Sequence, residues 1–172
     1  KKHKLILNDK NERRIQTLKT NLRRLNFNTK ILNKDFTEFE EKEKYDFIII
    51  DAPCSSVGTI RKNPEILFKS KGPNFKELQK IQQKMLEKAS NLLNINGLII
   101  YMVCSFLKSE TETQIDKFLN KNRDYDTFDF KLIDKNIKYS RIIHNNFMKT
   151  LPDTILGYNI DGYFAAYLKK VK

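Results

Sequence analysis

Cysteine and histidine are scarce in this sequence, and their scarcity excludes several kinds of site. The 172 residues include two cysteines, fifty positions apart, and two histidines. Two such thiols do not form a disulfide framework and persist in a reducing compartment, so we expect a cytoplasmic protein. None of the short spacings that are typical of zinc sites occurs among Cys54, Cys104, His3 and His144. The sequence therefore predicts no metal site.

Long apolar runs are also absent. No run approaches the ~20 residues that cross a bilayer, and no signal-peptide core precedes the first charged stretch. We therefore expect no membrane role.

Positive charge is abundant, with 33 basic and 21 acidic residues and a formal net charge of +12. Such an excess attracts polyanions, so a nucleic acid is the first candidate partner. A protein with lysine-rich, solvated faces would have the same composition, and charge by itself does not separate the two. The length favours one domain.

Short apolar runs alternate with helical patterns, as in βα units of a largely parallel sheet. We predict strands at residues 4–8, 29–33, 46–51, 98–103 and 162–168. Helices are predicted at 11–25, at 75–94 with a stop at Asn96-Gly97, and at 109–119 with Ser109 as the cap. Residues 125–150 show no firm period.

Polar residues stand at the ends of four predicted strands: Asp9, Asp35, Asp51 and Cys104. The carboxyl ends of the strands of an open α/β sheet meet at one edge, where such folds bind ligands. In nucleotide-binding units, an acidic residue at the end of the second strand accepts hydrogen bonds from the ribose hydroxyls. Asp9 is a candidate for this role because it follows a predicted strand. Aspartates also begin loops because they favour turns and helix caps, and this alternative stays open for each of them.

The two cysteines have two interpretations. A buried cysteine is often a small apolar residue, but a thiolate beside Arg61 or Lys62 would be a nucleophile. A cysteine protease is disfavoured because neither histidine follows a strand in a comparable way. Redox sensing stays open.

Three ordered segments carry a resemblance to a known family. They are DAPCSSVGTIRKNP from Asp51, YMVCS from Tyr101 with Glu110-Thr111-Glu112 after it, and DGYFAA from Asp161. Together they resemble the RNA 5-methylcytosine methyltransferases of the Sun/Nop2 (NSUN-like, RsmB-type) family. The Arg-Lys-Asn-Pro-Glu-Ile stretch is most similar to the bacterial enzymes that methylate small-subunit (16S) ribosomal RNA.

The resemblance implies a Rossmann-like, class I methyltransferase fold with S-adenosylmethionine as the methyl donor and no metal. It implies that a cysteine thiolate attacks C6 of cytosine, which makes C5 nucleophilic enough to take the methyl group. Cys104 matches the attacking cysteine, and Cys54 matches the one that assists product release. The target base must also leave its stack.

The same resemblance assigns donor-binding residues. Asp9 matches the acid that holds the ribose, Asp35 the acid near the adenine, and Asp51 the acid beside the amino-acid end and the target base. Two departures stand out. Val103 replaces the usual threonine before the attacking cysteine, and no glycine precedes Gly58, so the glycine-rich loop and first strand are missing.

We therefore expect residues 1–172 to be the C-terminal portion of one incomplete catalytic domain that is inactive alone and binds the donor weakly. RNA is the expected partner, and candidate phosphate contacts are Arg13, Arg14, Arg23, Arg24, Arg61 and Lys62. The alternatives are a non-catalytic RNA-binding relative, a tRNA rather than rRNA methyltransferase, and a DNA cytosine methyltransferase. The last leaves the second cysteine without a role.

Overall fold

The computed structural model describes residues 4–40, 43–68, 72–128, 142–144, 146–155 and 157–172. The chain separates into two compact units, Lys1–Lys42 and Glu43–Lys172. The N-terminal portion of each unit follows the βα alternation that the sequence predicts.

The first unit is a βαβ arrangement. Strand β1 (Ile6–Asn8) leads into helix α1 (Glu12–Arg24), and strand β2 (Lys30–Leu32) returns parallel to β1. The Asn11 side chain accepts a 3.2 Å hydrogen bond from the Arg14 amide and so caps the helix. The apolar stripe of α1 places Ile15 in the core, at 3% exposure. The predictions for residues 4–33 are confirmed to within two residues at each end.

The second unit is built around a sheet of mixed direction. Its elements are β3 (Tyr45–Asp51), α2 (Phe75–Leu92), β4 (Leu93–Val103), α3 (Glu112–Lys121), β5 (Tyr125–Thr127), β6 (Ile143–His144), β7 (Phe147–Lys149), β8 (Asp153–Ile155), β9 (Tyr158–Ile160) and β10 (Phe164–Lys170). The sheet runs in the order β3-β4-β10-β7-β6, with β5 also paired to β10, and β8 and β9 form a separate hairpin. Short 3-10 turns occupy Val57–Thr59, Pro64–Phe68 and Lys108–Glu110.

The prediction of a mostly parallel sheet needs a correction. β3 and β4 are parallel, as are β1 and β2, whereas β10 is antiparallel to β4, β5 and β7. An apolar pattern identifies a strand but carries no information about its direction, which the partner strand decides. The core lies between this sheet and its helices, and its largest fully buried side chains include Tyr101, Phe118, Phe164, Leu86 and Ile99.

Two predicted helix caps are wrong. Helix α2 ends at Leu92 and the chain enters β4 at once, so Asn96-Gly97 lies inside a strand. Asn96 has the left-handed conformation there, with φ 63°, while an added Cβ on Gly97 would lie 2.8 Å from the carbonyl oxygen of Asn94. Glycine is thus required for close packing, not for a helix cap.

The start of α3 also differs from the prediction. Ser109 lies in the preceding 3-10 turn, and the helix begins at Glu112 after Thr111. The Thr111 hydroxyl donates to the carbonyl of Leu107 and makes no capping bond. Because several serines and threonines stand close together here, sequence pattern alone does not select the cap.

Candidate functional site

The two cysteines leave the sheet at adjacent strand ends. Asp51 at the end of β3 pairs with Met102 of β4, and the Ala52 amide donates a 3.0 Å hydrogen bond to the Met102 carbonyl. Because β3 and β4 are parallel and in this register, the segments that follow them leave the sheet at the same edge. Beyond this point Cys54 Sγ lies 3.3 Å from Cys104 Sγ, and both residues are partly exposed.

The environment of the two thiols makes them chemically different. The pKa of Cys104 is lowered to about 6, chiefly because Cys54 donates a hydrogen bond to its thiolate. The hydroxyl of Ser56, 3.4 Å from Cys104 Sγ, acts in the same direction, whereas burial and the negative charge of Asp51 raise the pKa. The pKa of Cys54 is raised, chiefly by its hydrogen bond to Cys104 and then by burial. At neutral pH the pair consists of a Cys104 thiolate and a Cys54 thiol.

A buried carboxylate lies behind the cysteines. Glu110 is fully buried and accepts hydrogen bonds from the Ser55 amide at 2.9 Å, the Ser55 hydroxyl at 2.5 Å and the Ser105 hydroxyl at 2.7 Å. Ser55 follows Cys54 and Ser105 follows Cys104. Glu110 stands in one of the motif segments, but its role cannot be inferred from sequence, because nothing in the pattern distinguishes a buried glutamate from an exposed one near a helix start.

Two glycines join the three motif segments through the backbone. The Gly58 amide donates a 3.0 Å hydrogen bond to the carbonyl of Cys104, and the Gly162 amide donates a 2.7 Å bond to the carbonyl of Gly58. An added Cβ on Gly58 would lie 1.9 Å from the carbonyl oxygen of Gly162. The close approach explains why glycine stands at this position.

Arg61 and Lys62, predicted to contact phosphate, both pair with Asp161. Arg61 Nη2 lies 3.0 Å and Lys62 Nζ 2.8 Å from the Asp161 carboxylate, whose side chain is 3% exposed. The bonds from Lys62 and Arg61 lower the pKa of Asp161. The pairing joins residues about a hundred positions apart, which no local sequence pattern indicates, and it gives both cations a protein anion as partner.

The first unit holds two of the predicted donor-binding acids. Asp9 follows β1, accepts the Asn11 amide at 2.7 Å and pairs with Arg14 at 3.0 Å. Asp35 follows β2, and the amide and hydroxyl of Thr37 lower its pKa by donating to the carboxylate at 2.9 and 2.7 Å. Both therefore shape turns, the alternative left open by the sequence. A carboxylate has about four acceptor positions, so these bonds leave capacity for a ligand.

The remaining predicted acid, Asp51, is exposed at the end of β3, on the strand next to Cys104. Val103, at the position where the resemblance implies a threonine, is 1% exposed and belongs to the core. A valine leaves no buried hydroxyl that would need a partner at this position.

Within the described parts of the chain, no group of three or more metal-ligating side chains gathers in one place. His3 lies outside the described residues. No helix among the described residues is long and apolar enough to span a membrane.

A model of the family described as 16S rRNA methyltransferase RsmB/F matches residues 1–169. Two relatives, each called ribosomal RNA small subunit methyltransferase B, come from Shewanella oneidensis and Photorhabdus laumondii. The first is 32% identical over 124 residues, covering 70% of this chain and 29% of the relative. The second is 34% identical over 119 residues, covering 67% and 28%.

Solved structures agree in fold. The crystal structure of PH0851 has a TM-score of 0.84 and 29% identity, and the match covers 98% of this chain and 37% of that one. NSun6 from Pyrococcus horikoshii, solved with SFG, has a TM-score of 0.79 and 23% identity over 99% of this chain and 42% of its own, which is a similarity of fold. These matches confirm the predicted Rossmann-like methyltransferase fold class.

The chain spans under a third of the length of these two curated relatives. The family match nevertheless extends over nearly all of its residues and includes all three segments that carried the resemblance. The chain therefore belongs to the 16S rRNA methyltransferase RsmB/F family, which confirms the predicted family.

Proposed function

We propose that this protein methylates C5 of cytosine in RNA, with small-subunit ribosomal RNA as the substrate, by a mechanism that uses both cysteines. The observation that carries the proposal is the 3.3 Å contact between Cys54 Sγ and Cys104 Sγ, with one pKa lowered and the other raised. Two cysteines with only a packing role would not need to face each other at hydrogen-bond distance while both are partly exposed.

Cys104 supplies the nucleophile. With a pKa of about 6 it is mostly thiolate at neutral pH, and the thiolate is the reactive form. Its sulfur adds to C6 of the cytosine, and the electron pair of the C5=C6 bond moves to C5, which becomes nucleophilic. S-adenosylmethionine, when bound, supplies the electrophilic methyl group that C5 takes.

Cys54 assists the last step. Once C5 is methylated, a base removes its proton, the electron pair re-forms the C5=C6 bond, and the bond from C6 to Cys104 breaks. The sulfur leaves as a thiolate, and a protonated Cys54 at 3.3 Å donates a hydrogen bond to the charge that develops there. Stabilising the leaving thiolate speeds release of the product.

Three acids are proposed to hold the donor. Asp9 would accept the ribose hydroxyls, Asp35 would contact the adenine, and Asp51 would contact the amino-acid end. Within the first unit Asp9 and Asp35 follow strands β1 and β2, and within the second unit Asp51 ends strand β3. Each acid thus stands at a strand end, where α/β folds bind ligands. Thr37 and Arg14 orient the Asp35 and Asp9 carboxylates respectively.

RNA is proposed to contact the exposed cations of helix α1. Arg13, Arg23 and Arg24 are exposed on this helix, and the net charge of +12 favours a polyanion. Arg14, Arg61 and Lys62 are weaker candidates because each has an aspartate partner. A reducing cytoplasm suits an enzyme that depends on two free thiols.

The test uses the product of the complete gene, a labelled methyl donor and bulk unmodified RNA. Wild type, Cys104→Ala and Cys54→Ala are compared for methyl transfer and for a covalent protein–RNA adduct on denaturing gels. We expect Cys104→Ala to abolish transfer and Cys54→Ala to accumulate the adduct. Equal transfer by all three proteins would contradict the mechanism and favour a non-catalytic RNA-binding protein. Mapping the labelled nucleotide distinguishes rRNA from tRNA as substrate.

A further inference from the structure

Glu110 is a charged side chain in a place where charge is unfavourable. It lies in the 3-10 turn Lys108–Glu110 after β4 and has no solvent exposure. Burying a carboxylate is unfavourable in free energy unless hydrogen bonds replace its water. A buried glutamate therefore requires a dense set of donors, and its partners indicate what it does.

The donors come from the two loops that carry the cysteines. The Ser55 amide donates to Glu110 Oε1 at 2.9 Å, and the Ser55 hydroxyl donates to Oε2 at 2.5 Å. The Ser105 hydroxyl donates to the same Oε2 at 2.7 Å. One carboxylate thus binds the residue after Cys54 and the residue after Cys104, which are fifty positions apart in the sequence.

Further hydrogen bonds hold Glu110 in place and connect it to helix α2. The Tyr101 hydroxyl donates to the Glu110 carbonyl at 2.8 Å, which anchors the turn to β4. The fully buried Gln82 of α2 donates to the carbonyl of Pro53 at 3.0 Å and to Glu110 Oε1 at 3.3 Å. The residues on both sides of Cys54 are therefore held by one buried network.

We propose that Glu110 is a positioning residue that sets the distance between the two thiols by binding both cysteine loops to one carboxylate. This inference rests on the proposed function, in which Cys54 must stay beside the Cys104 sulfur throughout the reaction. Glu110 contacts neither thiol and acts through Ser55 and Ser105.

The negative charge of Glu110 supports the same arrangement. It is the smallest of the four causes that raise the pKa of Cys54, after the hydrogen bond to Cys104, burial and the charge of Cys104. Glu110 thereby favours the protonated form of Cys54, and a protonated Cys54 is the donor that Cys104 needs.

The alternative is that Glu110 only stabilises the fold. If Glu110 only stabilised the fold, its substitution would lower the melting temperature. The reactivity of the two thiols in the folded variant would then equal that of wild type. Thiol measurements on folded protein separate the two roles, and they need neither RNA nor methyl donor.

The experiment compares wild type, Glu110→Gln, Glu110→Asp and Ser105→Ala in the product of the complete gene. Glu110→Gln keeps the size of the side chain but replaces one carboxylate oxygen, an acceptor, with an NH2 group, a donor. That NH2 group would face the donors of Ser55 or Ser105. Glu87→Gln is the matched control, because Glu87 is a half-exposed glutamate of α2 whose side chain pairs with Lys121. Circular dichroism establishes that each variant is folded at the assay temperature.

Two readouts follow the thiols. The first is the rate of Cys104 alkylation by iodoacetamide against pH, measured on its peptide by mass spectrometry. The second is the rate at which diamide, itself reduced to the hydrazine, oxidises the two thiols to a Cys54–Cys104 disulfide. For Glu110→Gln we expect alkylation at pH 6.5 and disulfide formation each to fall by about tenfold or more. Glu110→Asp should recover part of the loss, and Glu87→Gln should match wild type.

A folded Glu110→Gln with both thiol rates unchanged would overturn the proposal, whatever its methyl transfer. If Glu110→Gln does not fold, Ser105→Ala decides, since it removes one of the donors to Oε2. A fall of about threefold in disulfide formation supports positioning, and no change overturns it. Failure of the proposed function would appear separately, as equal methyl transfer by wild type and Cys104→Ala.

Discussion

The amide of Gly162 donates a 2.7 Å hydrogen bond to the carbonyl of Gly58, across more than a hundred positions of sequence. The Gly58 amide in turn binds the carbonyl of Cys104 at 3.0 Å. Through this contact the segment before β10 supports the loop after β3 and the end of β4, where the two cysteines meet. The geometry of the thiols therefore depends on backbone packing as well as on side chains.

Gly58→Ala is expected to destabilise the protein. The new Cβ would lie 1.9 Å from the Gly162 oxygen and 2.9 Å from the Cys104 oxygen, so backbone must move. We expect the free energy of unfolding to fall by roughly 2–3 kcal/mol in urea titrations. Gly72→Ala is the control, because an added Cβ there meets nothing within 4 Å. Equal stability of the two variants would contradict the close packing at Gly58.

Alkylation of Cys104 should follow a titration with its midpoint at pH about 6. Below the midpoint the sulfur is protonated and unreactive, and above it the thiolate reacts. In Cys54→Ala the principal cause of the lowered pKa is gone, so the midpoint should rise toward about 8.5. Cys54→Ser keeps an O–H donor and should lie between the two. A midpoint that is the same in all three proteins would show that the sulfur contact does not control reactivity.

Asp161→Asn should lower the folding stability of the protein more at neutral pH than in acid. The pKa of Asp161 is lowered in the folded state, so its contribution to stability is present above the unfolded pKa of about 3.9. That contribution is lost as pH falls below this value and through the folded pKa. We expect the urea midpoints of wild type and variant to differ at pH 7 and to converge as the pH falls through the lowered pKa of Asp161. Asp116→Asn, on the exposed face of α3, is the control and should track wild type.

Arg23→Ala combined with Arg24→Ala should weaken RNA binding without changing stability by more than about 0.5 kcal/mol. Both side chains are exposed in the last turn of α1. If both bind phosphate, the slope of log K against log salt should fall by about 0.7 for each phosphate that is no longer neutralised. Lys117→Ala, an exposed cation on α3, provides the control. An unchanged slope would assign these arginines to ordinary solvated surface.

Sequence pattern predicted the local elements of the first unit well because their signals are local. The apolar spacing of α1 and the cap at Asn11 act within a few residues, and the structure has them where expected. The end of α2 was wrong because Leu92 and Leu93 are both buried, and an apolar pattern does not show where helix gives way to strand.

The sequence by itself determined the family, the fold class and which motif segment carries each cysteine. Each of these can be read from short contiguous runs of residues. Only the tertiary structure decided that the sulfurs lie 3.3 Å apart, that Glu110 binds both cysteine loops, and that Asp161 pairs with Arg61 and Lys62. These contacts join residues up to a hundred positions apart. They follow from the register of β3 on β4 and from the docking of the segment before β10, which are set by packing across the whole unit rather than by local sequence.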